Sequence, residues 1–420
     1  MDLKLNEYCL LKIFSHLELR DLVKLELVCQ TFRRVVQKIY PTFTKLDTLE
    51  DGCNSTSITK GICVKIGRFV KTLRVIENSY QQKDRKILAI IFRNCPNIQN
   101  FDFMDMTNIA SNVLLSDLSE YVRTRHSNPN LIKRITLIAC NISDMSDQVL
   151  RSLEWIKSAT GLEVVSFSMN SEVTGKCLKY FKNLKEIDLH WCKSLQNNYF
   201  MNFCKSNQTL IKLNIKECFR IRCPLPNQEC INSIAENLQN LEVLALHCSY
   251  ISNATKLSAL ADLPKLKTLN LEYCNLLAVP LLNRLAKHDH LKVLEWSLHE
   301  EEKNSARLFL ATIKIQGLKE YIFMDNSKRA TITDELVQQA MMNNLEKLKI
   351  LWSNVTDEGI YQFILKNPSL KIVDLTECNN ITDEFAKKII PHLQADFKSL
   401  RIVASHTKMT KKYKNILARI

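Results

Sequence analysis

Apolar residues recur along most of the chain in one spacing, with two positions between the first and second and one between the second and third. In Leu184, Ile187 and Leu189 the unit runs on to Cys192 and Leu195. The same five positions return as Leu210, Leu213, Ile215, Cys218 and Ile221, as Leu266, Leu269, Leu271, Cys274 and Leu277, and as Leu370, Val373, Leu375, Cys378 and Ile381. Copies that keep the first three positions begin at Val70, Ile98, Ile132, Leu162, Leu241, Leu291, Leu318, Leu345 and Leu400, which makes thirteen units starting 22 to 34 residues apart. The alternation at the second and third positions predicts a short strand with one buried face. Between strands, Val149, Leu150, Leu153 and Ile156 fall at helical spacing, as do Leu336, Val337, Ala340 and Met341. Thr333, Thr356 and Thr382 each precede Asp-Glu, a pattern that predicts a capping hydroxyl followed by carboxylates at the positive end of a helix.

One strand and one helical segment per unit imply a parallel sheet with helices on its other side. Strands ~4.8 Å apart beside wider helices force curvature. The period is that of leucine-rich repeats at the long end, so the expected fold is an α/β solenoid, a curved horseshoe of the long-repeat, ribonuclease-inhibitor-like type. Cys140, Cys192, Cys218, Cys274 and Cys378 share one position three residues past the strand. Free cysteine packs as a small apolar side chain, so this ladder reads as core and marks the repeat class. Trp296 stands at a buried strand position and reads as core as well.

Composition narrows the chemistry. With 46% hydrophobic and 24% charged residues the chain is an ordinary globular one. Its 7 glycines include no G-x-G-x-x-G, Walker loop or G-x-S-x-G, and no H-E-x-x-H occurs, which removes the usual support for nucleotide-binding and hydrolytic enzymes. The 15 cysteines are odd in number and form no C-x-x-C pair, which predicts free thiols in a reducing compartment, no metal and no cofactor. The first residues carry no apolar leader, and the longest apolar run, 87–92, is too short to span a bilayer. The expectation is an intracellular protein, cytoplasmic or nuclear or both, with no membrane partner. Net charge is +14, and residues 397–420 hold seven Lys or Arg and no acid. Without a nucleic-acid module or interleaved aromatics, this basic segment reads as a solvated end cap and nucleic acid as an unlikely partner. Glu300, Glu301 and Glu302 read as a loop.

The first forty residues differ from the rest. Leu10, Ile13, Phe14 and Leu17, then Leu22, Leu25, Val28, Cys29, Phe32 and Val35, predict two or three short helices, too small to be stable alone. The order Leu5-Asn6-Glu7, Leu10-Leu11-Lys12-Ile13-Phe14, Leu19-Arg20-Asp21-Leu22 and Leu27-Val28-Cys29-Gln30-Thr31-Phe32 resembles the F-box. Two positions depart from the family's pattern: Asn6 stands where proline is usual and Phe32 where tryptophan is usual. Asn is a competent helix cap and Phe still fills an apolar pocket. With cysteine-containing repeats behind it, the chain resembles the F-box and leucine-rich-repeat family, and the expected organisation is an F-box over 1–40, a linker or partial repeat over 41–67, and repeats over 68–420. A plain helical cap on the solenoid is the alternative reading of the first segment.

The resemblance implies a non-catalytic substrate receptor of an SCF-type cullin-RING ubiquitin ligase. Leu5, Leu10, Ile13, Phe14, Leu17, Leu22, Val28 and Phe32 would dock on the Skp adaptor, and through it on the cullin scaffold and RING subunit. The repeats would hold a protein substrate. Strand geometry nominates Glu186, Asp188, His190, Lys216, Glu272 and Asp374 as outward-facing, with Trp191, Tyr273 and Trp352 at equivalent rim positions suited to recognition. The competing function is a leucine-rich-repeat interaction scaffold that acts without ubiquitin.

Overall fold

Strand and helix alternate as the spacing predicts, in a computed structural model that describes residues 5–76, 84–107, 109–125, 129–220, 223–224, 227–248, 257–274, 276–298, 305–324, 332–395 and 399–417. Ile221, Glu300, Glu301, Glu302, Lys398 and Arg419 lie outside the described residues, as does the side chain of Cys274. The chain divides into two compact units, Met1–Leu195 and Gln196–Ile420.

The first unit opens with three helices: α1 (Glu7–Phe14), α2 (Leu19–Leu25) and α3 (Gln30–Ile39). Asn6 caps α1, its side-chain oxygen accepting from the Cys9 N–H at 2.9 Å, so the family's missing proline costs no helix start. Phe14 and Phe32 meet edge to face, 4.9 Å between centroids, and Lys38 pairs with Glu7 at 2.6 Å, which ties α3 back to α1. Glu26, only 7% exposed, accepts from the Tyr40 hydroxyl at 2.7 Å and from Gln37 and Lys65. Because Lys65 belongs to the next helix, Thr56–Ile66, that carboxylate fastens the three-helix module to the start of the repeats.

Residues 41–67 hold a strand, Lys45–Asp47, and that helix, so a further strand–helix pair precedes the thirteen units. Parallel strands then run at Thr72–Ile76, Asn100–Met104, Arg134–Ile138, Val164–Ser166 and Glu186–Asp188. Their second apolar positions lie opposite one another in register, Leu46, Leu73, Phe101, Ile135, Val165 and Ile187, each at most 2% exposed. In the second unit the corresponding ladder is Leu213, Leu244, Leu269, Leu294, Tyr321, Leu348, Val373 and Ile402, again all parallel. Trp296 is buried and its ring lies 4.2 Å from that of Phe323. Each fully buried side chain of this kind contributes about 1.5–3 kcal/mol, and the ladder repeats that contribution once per strand.

Three local expectations change. In the unit that begins at Leu400 the spacing points to Val403 and Ser405, but the buried strand positions are Ile402 and Ala404, one residue earlier. Thr333 and Thr356 do stand at helix N-caps, but neither side chain caps its own helix. The Thr356 hydroxyl donates instead to Asp334 of the preceding repeat at 2.5 Å, with its N–H on the other carboxylate oxygen at 2.8 Å. Thr382 repeats this arrangement on Asp357 and also caps its own helix as expected, its hydroxyl oxygen accepting from the Glu384 N–H at 3.2 Å, and the Thr410 N–H reaches Asp383 at 2.7 Å. The Thr-Asp pairs thus fasten neighbouring repeats. Gly359 makes room for the first of them, since a Cβ there would overlap the Asp334 carboxylate. Finally, the helix around Leu336 ends at Gln338, and Met341, expected on its apolar face, is exposed.

Candidate functional site

Turns of one kind recur at the strand ends. Asp105, Ala139, Met169, Trp191, Glu217, Tyr273, Trp352, Glu377 and His406 all have φ between 52° and 65°, although none is glycine. Each lies two residues past the third apolar position of its repeat, which is Ala404 in the case of His406. A left-handed non-glycine residue costs about 1 kcal/mol or more unless its surroundings fix it. Here the next repeat fixes it: the N–H of Met169 donates to the His190 carbonyl at 2.7 Å, that of Ala139 to Ser168 at 3.0 Å, and that of Glu377 to Ser405 at 2.9 Å.

One residue further on, the cysteine ladder does more than fill space. The thiol of Cys192 donates to the Phe167 carbonyl at 3.1 Å, that of Cys378 to Ile350 at 3.0 Å and that of Cys140 to Phe103 at 3.5 Å, in each case the third apolar position of the preceding repeat. Asn170 stands in the cysteine's place in its repeat. Its amide donates to the Leu137 carbonyl at 2.6 Å, while its side-chain oxygen accepts from the Cys140 and Ile142 N–H groups, both at 2.9 Å. Burial pushes the Cys378 thiol pKa up, which keeps the group protonated and able to donate.

The nominated strand-end residues separate into groups. Within the first unit, Glu186, Asp188 and His190 are half-buried, with the Asp188 carboxylate accepting from the His190 N–H at 2.9 Å. Trp191 is 40% exposed, its ring 6.0 Å from that of His190 and covered on one face by Lys193 at 4.1 Å. In the second unit Lys216, Glu272 and Tyr273 come together, joined by Glu217 and His247, which the spacing did not single out. Lys216 pairs with Glu272 at 2.9 Å, and the Tyr273 ring folds onto buried His247 at 4.8 Å. Glu217, His247 and Glu272 offer three ligand atoms within 4.8 Å of one another. The Lys216 ammonium already meets the Glu272 charge, so the cluster carries its own cation and makes no case for another. Asp374 faces Lys349 at 3.6 Å, and Trp352 is 42% exposed. Of the three rim aromatics, two therefore present their rings to solvent and Tyr273 packs inward.

The N-terminal module shows a different division. Leu10, Phe14 and Leu22 are buried within the chain, Leu17 and Phe32 are half-buried, and Leu5, Ile13 and Val28 are exposed at 48–64%. The first group shapes the module from inside, and the last is the most open to direct contact with a partner. Tyr8 and Leu27, which the residue pattern alone had not nominated, are exposed as well. Large apolar side chains concentrated in this way on a small module mark a contact surface. Glu26 anchors it from below. Burial opposes its charge, but hydrogen bonds from Lys65, Tyr40 and Gln37 outweigh that and hold the carboxyl below its ordinary range.

Comparison with known proteins finds the same module. Residues 8–42 match the F-box-like family. Over 94% of its length the chain shares a fold with Rad7 as seen in the crystal structure of the yeast Rad7 and Elc1 complex, with a TM-score of 0.53, 14% identity and 92% of that chain covered. Among curated proteins it is 23% identical over 405 residues to "Putative RNA-binding protein EEED8.10" of Caenorhabditis elegans, covering 90% of this chain and 50% of that one. It is 30% identical over 190 residues to tubulin-specific chaperone E of Drosophila melanogaster, covering 44% of this chain and 34% of the relative. The chain spans half or less of the length of these curated relatives. No helix among the described residues is long and apolar enough to cross a membrane.

Proposed function

We propose that the chain is the substrate-recognition subunit of an SCF-type cullin-RING ubiquitin ligase, with its N-terminal module docked on a Skp-type adaptor and its repeats holding a protein substrate. The observation that carries this reading is the exposed set Leu5, Tyr8, Ile13, Leu27 and Val28 on a module matching the F-box-like family and rooted by buried Leu10, Phe14, Leu22 and Glu26. The fold shared with Rad7, a protein seen in complex with Elc1, supports a repeat protein that works bound to a second subunit. In this reading the protein forms and breaks no bonds. It raises the effective concentration of substrate lysines near the conjugating enzyme, and the adaptor leads onward to cullin and RING subunits. The candidate substrate contacts are Trp191 with Glu186, Asp188 and His190 in the first unit, and Trp352 with Asp374, and Lys216 and Glu272, in the second, with Tyr273 acting through His247. Free thiols at thirteen cysteines, from Cys9 to Cys378, suit the reducing cytoplasm or nucleus.

The test is direct binding of the purified chain to the Skp adaptor, beside an Ile13→Ala/Val28→Ala variant. Both residues are exposed, so the variant keeps the fold and removes only contact area. Tight binding by the unmodified chain that the variant loses supports the receptor. An adaptor that ignores the unmodified chain refutes it and leaves the repeat scaffold as the function.

A further inference from the structure

The residue just ahead of each strand forms its own row along the sheet. In the first unit the row is Lys71, Gln99, Lys133, Glu163 and Lys185, stacked by backbone bonds of 2.7–2.9 Å from each N–H to the carbonyl before it. In the second unit it is Ile211, Glu242, Lys267, Lys292, Lys319, Glu346 and Lys371. There the row supplies its own acids: Lys267 pairs with Glu242 at 2.9 Å, and Lys319 and Lys371 share Glu346 at 3.0 and 2.6 Å, while Lys292 donates to the Asp289 carbonyl. In the first unit Lys185 is matched by Glu163 at 3.1 Å. Lys71 and Lys133 have no ion pair among the described residues, and the position between them is Gln99.

Beside this unmatched stretch lies a groove of about 340 Å³ lined by Pro41, Thr44, Arg68, Phe69, Lys71, Asn97, Gln99 and Leu131. None of these is acidic. Phe69 and the 45% exposed Leu131 supply an apolar floor. The Arg68 guanidinium stacks 4.6 Å over the Phe69 ring and forms no ion pair among the described residues. An apolar strip edged by Arg68 and Lys71, with Lys133 following Gln99 in the row, complements an extended chain that carries carboxylates beside an apolar side chain.

We infer that this groove docks an acidic, extended segment of a partner protein. The inference stands apart from the adaptor reading, since it uses none of the exposed N-terminal residues. Carboxylates would bridge Arg68 and Lys71, with Lys133 as the next cation along the row, and the backbone of the segment would lie across Thr44 and Gln99. The acid missing from this part of the row, which Glu242 and Glu346 provide in the other unit, is what the docking segment brings.

The experiment titrates the full chain with a short fluorescein-labelled peptide of Glu, Asp and Leu, and follows anisotropy. An Arg68→Gln/Lys71→Gln variant removes two cations from the groove, and a Lys319→Gln/Lys371→Gln variant removes two from the matched row. All four side chains are at the surface, and unchanged thermal unfolding would verify that both variants fold. The expected result is roughly tenfold weaker binding for the groove variant and less than about twofold change for the other. Leu131→Ser is expected to weaken binding by about threefold through the floor alone. Equal losses in the two charge variants would reduce the effect to net charge and overturn the proposal. So would failure of the unmodified chain to bind, or an oligouridylate of equal charge binding more tightly than the peptide.

Discussion

The two units use one repeat and finish it differently. In the second unit Glu242 and Glu346 of the row ahead of the strands pair with Lys267, Lys319 and Lys371 and only Lys292 turns to a carbonyl, and the described exposed large apolar side chains are three, Met341, Trp352 and Leu365. In the first unit there are twelve, from Leu5 and Ile13 to Leu131, Met169 and Trp191, and the same row leaves Lys71 and Lys133 unmatched among the described residues. Since the strands, turns and ladder are common to both, the difference is one of surface and not of scaffold. A solenoid whose repeats are interchangeable in the core can assign binding to one stretch and self-sufficiency to another.

That contrast can be broken most severely at the N-terminal module. Ile13→Ala/Val28→Ala is expected to weaken adaptor binding by roughly a hundredfold, at about 1–2 kcal/mol per lost contact, with thermal unfolding unchanged. If a charge variant of the second unit, Lys319→Gln/Lys371→Gln, weakened the same binding as much, the assignment of contact to the first unit would fail. Next in size is the ladder. Asn170→Ala leaves two buried N–H groups and a carbonyl without their partner and is expected to cost about 3 kcal/mol, against about 1 kcal/mol for Cys378→Ala, as read by urea unfolding. Equal costs would mean that the amide does no more than the thiol.

Glu26→Ala should cost about 2 kcal/mol, less than a fully buried pair because Lys65 keeps 27% of its side chain exposed. The Glu26 carboxyl is held below its ordinary value of 4.5. Its contribution is therefore fully present above about pH 4.5 and is lost as the pH falls through the lower folded value. Stability measured against pH should fall less steeply on the acid side in Glu26→Gln than in the unmodified chain. The smallest effect is expected of Thr382→Val, about 1 kcal/mol, since the Asp357 carboxylate keeps the backbone N–H and the Glu384 N–H that loses its cap is at the surface.

Repeat spacing carried most of the fold because the parallel register needs nothing beyond it: Leu73, Phe101 and Ile135 are aligned by position in the repeat as they are in space. The strand–helix pair before Val70 was harder to see, since Leu46 has an apolar residue before it in Phe43 but Thr48 where the third apolar position belongs. Asn170 was recoverable, standing three residues past Phe167 where five other repeats have cysteine. The inter-repeat partner of the Thr356 and Thr382 hydroxyls was not, because the preceding repeat's aspartate must be known to lie beside them; the cap itself, read from the Thr-Asp pattern, forms at Thr382 and not at Thr356. At the N-terminal module, helical spacing found the apolar residues but could not divide them. Leu10 and Ile13 look alike in sequence, and only packing against α3 makes one core and the other surface. Lys216 and Glu272 were nominated separately, and their pairing required the strands that carry them to be placed in space.

The left-handed turn at the strand ends bears on how such a surface can change. The nine positions carry Asp, Ala, Met, Trp, Glu, Tyr, Trp, Glu and His on nearly one backbone conformation, held at Asp105, Ala139, Met169 and Glu377 by a carbonyl of the next repeat and not by the side chain. The row behaves like a line of type in a fixed frame: each letter can be exchanged while its spacing to the next stays the same. A new recognition pattern can then be reached one substitution at a time, without any intermediate having to relearn how to fold.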